Sequence, residues 1–117
     1  MPPYEILILF SGKERSLKST KFNLRVDECK VGSFLFKAYS QMDYEKFENN
    51  YLRDISYETF LKYKDNLPLP IKKRAIHYFE ESERVEKAVD FWSKGDIVNF
   101  GKMVFESGKS SIENYEA

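Results

Sequence analysis

Between residues 71 and 92, apolar and small side chains recur at spacings of four and three: Ile71, Ala75, Tyr78, Ser82, Val85, Val89 and Trp92. Such spacing returns to one face of an α-helix at every turn, whereas a strand alternates every second residue. It predicts an amphipathic helix of roughly five turns or more, which must lay its stripe against another surface. The residues after Trp92 supply one. Lys94-Gly95-Asp96 reads as a cation in the last turn, a glycine able to take the left-handed conformation that ends helices, and an Asp that caps the next one. A tight helical hairpin is expected, with Ile97, Phe100, Val104 and Phe105 lining one side of the second helix and Gly101 and Gly108 allowing another backbone to approach closely.

Upstream, Asn66-Leu67-Pro68-Leu69-Pro70 breaks the chain, because proline blocks continuation of a preceding helix. Ser56 is placed to cap a short helix over Tyr57–Lys64. Ahead of that, Asn23 can cap a helix running to about Gln41, with Leu24, Val31, Leu35, Ala38 and Met42 as its stripe and Cys29, Phe36 and Tyr39 widening it. Asp43–Asn50 is charged and reads as an exposed turn or short helical extension, and Ser16–Lys21 as a polar loop. Ser110-Ser111-Ile112-Glu113-Asn114-Tyr115-Glu116 restarts a cap-like pattern, as though a further helix begins there.

The N-terminal stretch differs. Tyr4–Phe10 contains the run Ile6-Leu7-Ile8-Leu9-Phe10 between Pro3 and Gly12, the pattern of a strand buried on both faces. No second run matches it, and a lone strand lacks partners for its backbone groups. The fold expected is therefore α+β, predominantly helical with one N-terminal strand, over a single partial domain spanning residues 1–117.

The 19 Lys and Arg balance the 19 Asp and Glu and are interspersed with them, so nothing favours a nucleic acid or membrane partner. Cys29, the one cysteine, rules out an internal disulfide and fits a reducing cytoplasm. No metal site is expected. His77, the one histidine, is able to act as a base near pH 7 but has no Asp or Ser at a motif spacing, so a structural role is expected. Glu80, Glu81 and Glu83 with Arg84 and Lys87 read as solvated pairs, Glu80 with Arg84 and Glu83 with Lys87. Cys29 reads as core, Trp92 as core, and Arg25 as a hydrogen-bonding anchor for the loop before its helix.

Three segments carry a resemblance. They are Phe22-Asn23-Leu24-Arg25-Val26-Asp27-Glu28-Cys29; Arg74-Ala75-Ile76-His77-Tyr78-Phe79-Glu80-Glu81-Ser82-Glu83-Arg84-Val85; and Gly95-Asp96 through Phe100-Gly101-Lys102-Met103 to Glu106-Ser107-Gly108, continuing to Glu116. In order and spacing they resemble the galactokinase branch of the GHMP sugar kinases, and most closely its plant-type galacturonokinases. Leu52-Arg53-Asp54-Ile55-Ser56 is similar to the linker before that family's next helix. Gly108 stands where the family pattern commonly has His, a form that points toward a uronic-acid kinase.

The resemblance implies a piece of the C-terminal lobe of an enzyme that uses ATP and Mg²⁺ to phosphorylate the anomeric hydroxyl of galactose or galacturonic acid. Such chemistry needs a glycine-rich phosphate loop. Gly12, Gly32, Gly95, Gly101 and Gly108 are instead scattered singly, and the family's sugar-binding entry motif, phosphate loop, catalytic Asp and second glycine-rich motif have no counterpart here. The first three are expected upstream and the last downstream. No catalytic, cofactor-binding or metal-binding residue is therefore expected in this chain, which alone should be inactive. Phe22 matches a family tyrosine that approaches the sugar, and is the one substrate-adjacent candidate. The alternative is a free-standing, non-catalytic helical module that binds a protein partner. A fragment would expose apolar surface and could pair through its strand into a homodimer.

Overall fold

The helices follow their boundary signals, with one exception at the first. A computed structural model describes residues 2–9, 21–43 and 46–116. Among them lie α1 (Phe22–Tyr39), α2 (Tyr57–Tyr63), α3 (Leu69–Ser93) and α4 (Ile97–Ser110). Short 3-10 turns occupy Phe47–Asn49, Leu52–Asp54 and Lys64–Asn66, and a π-helical turn follows α4 at Ser111–Tyr115.

Ser56 caps α2 as expected, accepting from the Thr59 N–H at 3.1 Å. The α3–α4 hairpin also forms as read. Gly95 has φ 73°, with Gly95 N–H donating to Trp92 O and Asp96 N–H to Phe91 O, a pattern that closes α3. Asp96 then accepts from the Asn99 N–H at 3.2 Å. Asn23, in contrast, does not cap α1: the helix already includes it, and the residue before the helix is Lys21, whose side chain caps nothing. α1 ends in the same arrangement as α3, with Gln41 N–H on Ala38 O and Met42 N–H on Lys37 O, but the left-handed position is Gln41 at φ 59°. A side chain at such a φ costs about 1 kcal/mol or more. Gln41→Gly should therefore stabilise the protein by about 0.5–1 kcal/mol, read as a higher urea midpoint at unchanged slope.

The core gathers where α1, α2 and the first half of α3 meet: Phe36, Leu52, Ile55, Phe60, Leu67, Ala75 and Phe79. The Phe60 and Phe79 rings stack at 4.3 Å between centroids. Gly32 lets α1 approach α3, since a Cβ there would meet Ile71 Cγ2 at 3.3 Å.

Several expectations fail. No strand forms among the described residues, so the α+β reading gives way to an all-helical one. Ile6, Leu7, Ile8 and Leu9 are exposed at 78, 80, 88 and 79%. The physical reason is that a strand needs a partner strand, and the rest of the described chain is helix and turn. Tyr4 does find a contact, its ring lying edge-on to Trp92 at 5.0 Å. Phe10, residues 16–20 of the expected loop and residues 44–45 of the expected turn lie outside the described residues. Leu24 and Met42 are exposed rather than buried, because α1 turns Arg25, Glu28, Gly32, Ser33, Phe36 and Lys37 inward instead. In α3 the stripe holds for Ile71, Ala75 and Tyr78, but Val85 and Val89 are exposed: the second half of the helix faces α4 with Glu81, Arg84 and Ala88, and Val85 sits at the edge of an open groove there. Phe105 of α4 faces outward, Val104 borders the α3–α4 groove but is more than half exposed, and no heavy atom of another element lies within 4 Å of a Cβ placed at Gly101 or Gly108.

Candidate functional site

The polar interior of the molecule is made by charged residues whose sequence neighbours are apolar. Arg74 lies three residues after Ile71 and four before Tyr78, which carries it onto the buried face of α3. Its guanidinium, 2% exposed, reaches Glu28 of α1 at 3.2 Å, the Asn114 carbonyl at 2.7 Å and the Glu116 carboxylate at 3.2 Å. Arg25, one helical turn before Glu28, pairs with it at 2.7 Å and donates to the Glu116 carbonyl from Nε at 3.3 Å and Nη2 at 3.2 Å. Two arginines thus fasten α1, α3 and the turn after α4 around one glutamate. Arg25 anchors that C-terminal turn rather than the loop preceding α1. The Arg74 and Lys73 side chains hold the exposed Glu116 carboxyl below the usual carboxylate range.

A second cation is buried nearby. Lys37 donates to Asn50 Oδ1 at 3.0 Å and pairs with Asp54 at 3.2 Å. Asn50, read from the sequence as part of an exposed turn, is fully buried, because its amide also closes the preceding turn on Lys46 O and Phe47 O.

His77 has partners that lie far from it along the chain. Its Nδ1 lies 2.9 Å from Ser110 Oγ, its ring 5.0 Å from that of Tyr115, and its Nε2 4.0 Å from Glu81. Burial holds its pKa below the usual histidine value; Glu81 opposes that shift and Arg84 adds to it. Ser110 is only 5% exposed and also accepts from Asn114 Nδ2 at 3.1 Å, while Glu81 is engaged by Arg84 at 3.1 Å and Ser107 at 2.9 Å. The His77–Ser110 contact latches α3 to α4, and Glu81, Arg84 and Ser107 border a shallow groove between the two helices. The solvated pairs expected further along α3 form, Glu80 with Arg84 at 3.6 Å and Glu83 with Lys87 at 2.9 Å.

Between α1, the Leu52–Asp54 turn, α3 and the C-terminal turn lies a cavity of about 290 Å³. Cys29 opens onto it. Burial pushes the Cys29 thiol up to about 11, partly offset by Arg74. In the unfolded chain the thiol ionises near 9.0, so below that pH this contribution to stability is fully present, and it is lost as pH rises toward 11. Cys29→Ala should flatten the alkaline fall in thermal midpoint between those values, which a melt series against pH would show.

Phe22, the substrate-adjacent candidate, is the first residue of α1 and is 45% exposed; it does not line the cavity. Among the described residues, no group of three His, Cys, Asp or Glu side chains is placed to hold a metal ion. Gly32, Gly101 and Gly108 lie inside helices and Gly95 in the hairpin, so no glycine-rich phosphate cradle is built from described residues. Among the described residues, none is arranged to fit a magnesium–nucleotide site. No described helix is long and apolar enough to cross a membrane.

Comparison with known proteins gives this arrangement its context. Galacturonokinase of Arabidopsis thaliana is 37% identical over 116 residues, covering 97% of this chain and 26% of the relative. Galactokinase of Clostridium tetani is 39% identical over 117 residues, covering 97% of this chain and 27% of the relative. Galactokinase of Limosilactobacillus reuteri is 32% identical over 114 residues, with 97% and 27% covered. No protein-family model matches the chain, and no solved structure matches it. The chain spans only about a quarter of the length of the curated relatives it matches. Similarity sustained over nearly every residue makes this chain a homologue of about a quarter of the galactokinases and galacturonokinase it matches.

Proposed function

We propose that the chain is a structural segment of an ATP- and Mg²⁺-dependent cytoplasmic sugar kinase that phosphorylates the anomeric hydroxyl of galactose or galacturonic acid, and that alone it is inactive. The observation that carries the reading is the 37% identity to galacturonokinase across 97% of the chain. Gly108, in place of the histidine common in the family pattern, favours the uronic acid.

In this reading the chain's own residues position rather than react. Phosphoryl transfer depends mainly on orientation and on charge stabilisation at the transferring group. Phe22 stands at the exposed start of α1, where it can offer an apolar wall to one face of a sugar. The Arg25–Glu28–Arg74 core fixes the helix that carries it. Nothing among the described residues cradles a phosphate or abstracts a proton from a hydroxyl.

The test is a coupled ADP-release assay of the pure chain with ATP, Mg²⁺ and either galactose or galacturonate. Sugar-dependent ADP release should stay at the background of a no-protein control. Sustained turnover with either sugar would refute the non-catalytic role.

A further inference from the structure

The cavity beside Cys29 is not accounted for by the kinase reading. It lies away from Phe22: Cys29 is seven residues further along α1, about 10 Å on a helix that rises 1.5 Å per residue. Its wall is apolar and aromatic, built by Cys29, Leu52, Tyr78 and Tyr115 from four separate elements. Its charged lining is entirely cationic, Lys30 and Arg53, with no Asp or Glu. Neither cation makes an ion pair among the described residues; Arg53 lies instead over the Tyr51 ring, 4.4 Å from its centroid. Lys30 is half-buried and Arg53 exposed, so both stand at the mouth of the cavity, in reach of solvent and of a ligand's charged end.

Its volume, about 290 Å³, sits at the lower end of the range of small-molecule sites, which typically combine an apolar wall with a few orienting polar groups. A hexose is a poor fit. Its ring of hydroxyls would lose hydration against Leu52 and the tyrosine rings without enough partners, at a cost for each unpaired hydroxyl. A bare anion is equally poor, since it would forgo the apolar wall. We infer that this cavity is a ligand site for a small organic anion with an aromatic body, the ring seated among Leu52, Tyr78 and Tyr115 and the anionic group held by Lys30 and Arg53. Such a molecule is not the sugar, and its occupancy would act on the fold by tying α1 to the C-terminal turn.

Cys29 supplies the readout, because a ligand seated there blocks its thiol. The rate of Cys29 modification by an uncharged thiol reagent is measured near pH 9, where the raised thiol still yields some thiolate, against increasing phenyl phosphate. Expected is saturable protection with half-effect at about 1 mM or below. Benzyl alcohol and inorganic phosphate, which each lack one half of the recognition, should protect at least about tenfold less well. Lys30→Met with Arg53→Gln should weaken phenyl phosphate protection by about tenfold or more while lowering the thermal midpoint by no more than about 5 °C, since neither residue makes an ion pair among the described residues and Arg53 gives up only its contact with the Tyr51 ring. Absence of protection at about tenfold higher phenyl phosphate, protection by inorganic phosphate alone to the same degree, or undiminished protection in the double variant would each overturn the proposal.

Discussion

Arg74→Met should cost the fold about 3–5 kcal/mol, enough to lower the thermal midpoint by roughly 15–30 °C in a domain of this size. The side chain is 2% exposed and joins Glu28, Asn114 and Glu116. Removing it leaves the Glu28 carboxylate, itself 11% exposed, with Arg25 as its remaining partner, and releases the turn after α4. The expense lies in the lost ties to the C-terminal turn and in the Asn114 carbonyl and one Glu28 oxygen left without their donor, because the Glu28 charge itself keeps Arg25. That distinction has a signature. Replacing Arg74 and Glu28 together by Met leaves the buried Arg25 without its carboxylate, so the double variant should be less stable than Arg74→Met, whereas a stranded Glu28 charge as the main cost would make it more stable. Urea unfolding of the four proteins of this cycle decides between the two. A total stability near the usual range of about 5–15 kcal/mol makes Arg74→Met marginal at room temperature.

Phe36→Ala should be nearly as damaging, at about 3–5 kcal/mol. Phe36 is fully buried at the centre of the core and meets Phe60 edge-on at 6.1 Å, and Phe60 in turn stacks on Phe79. Truncation removes the apolar area of one ring and leaves a cavity that three rigid helices cannot collapse into. Phe105→Ala is the internal control. Its ring is 70% exposed on α4, and its loss should change stability by no more than about 0.5 kcal/mol. Chemical unfolding should show the two substitutions separated by several-fold at similar slopes.

These two residues also mark what the sequence could and could not disclose. Boundaries were legible wherever a local residue supplies the physics: Ser56 accepts from a backbone N–H three positions on, and Gly95 takes a φ that other residues resist. The length of α3 was legible from its period. The content of the interior was less so. Arg74, Glu28 and Lys37 gave no sign of burial, because their partners lie on other elements and local spacing says nothing about them. The pairing of His77 with Ser110 spans 33 positions and has no local trace. Val85 and Val89 share the period of Ala75 yet lie outside, since amphipathicity identifies an apolar face without saying whether a neighbour covers it. The strand expected at Tyr4–Phe10 failed for a related reason. Its composition was right for a buried strand, and no partner strand exists among the described residues. Of the candidate site, Phe22 was visible only through family resemblance, and the cavity beside Cys29 only after Leu52, Tyr78 and Tyr115 had been brought together.

The central claim, that this chain is one segment of a sugar kinase, is tested most directly by sequencing the coding DNA on both sides of it. The claim requires an open frame that continues upstream into a glycine- and serine-rich phosphate loop with an Asp-containing segment, and downstream into a second glycine-rich motif. Stop codons bounding these 117 residues would contradict it and leave a non-catalytic helical module in its place.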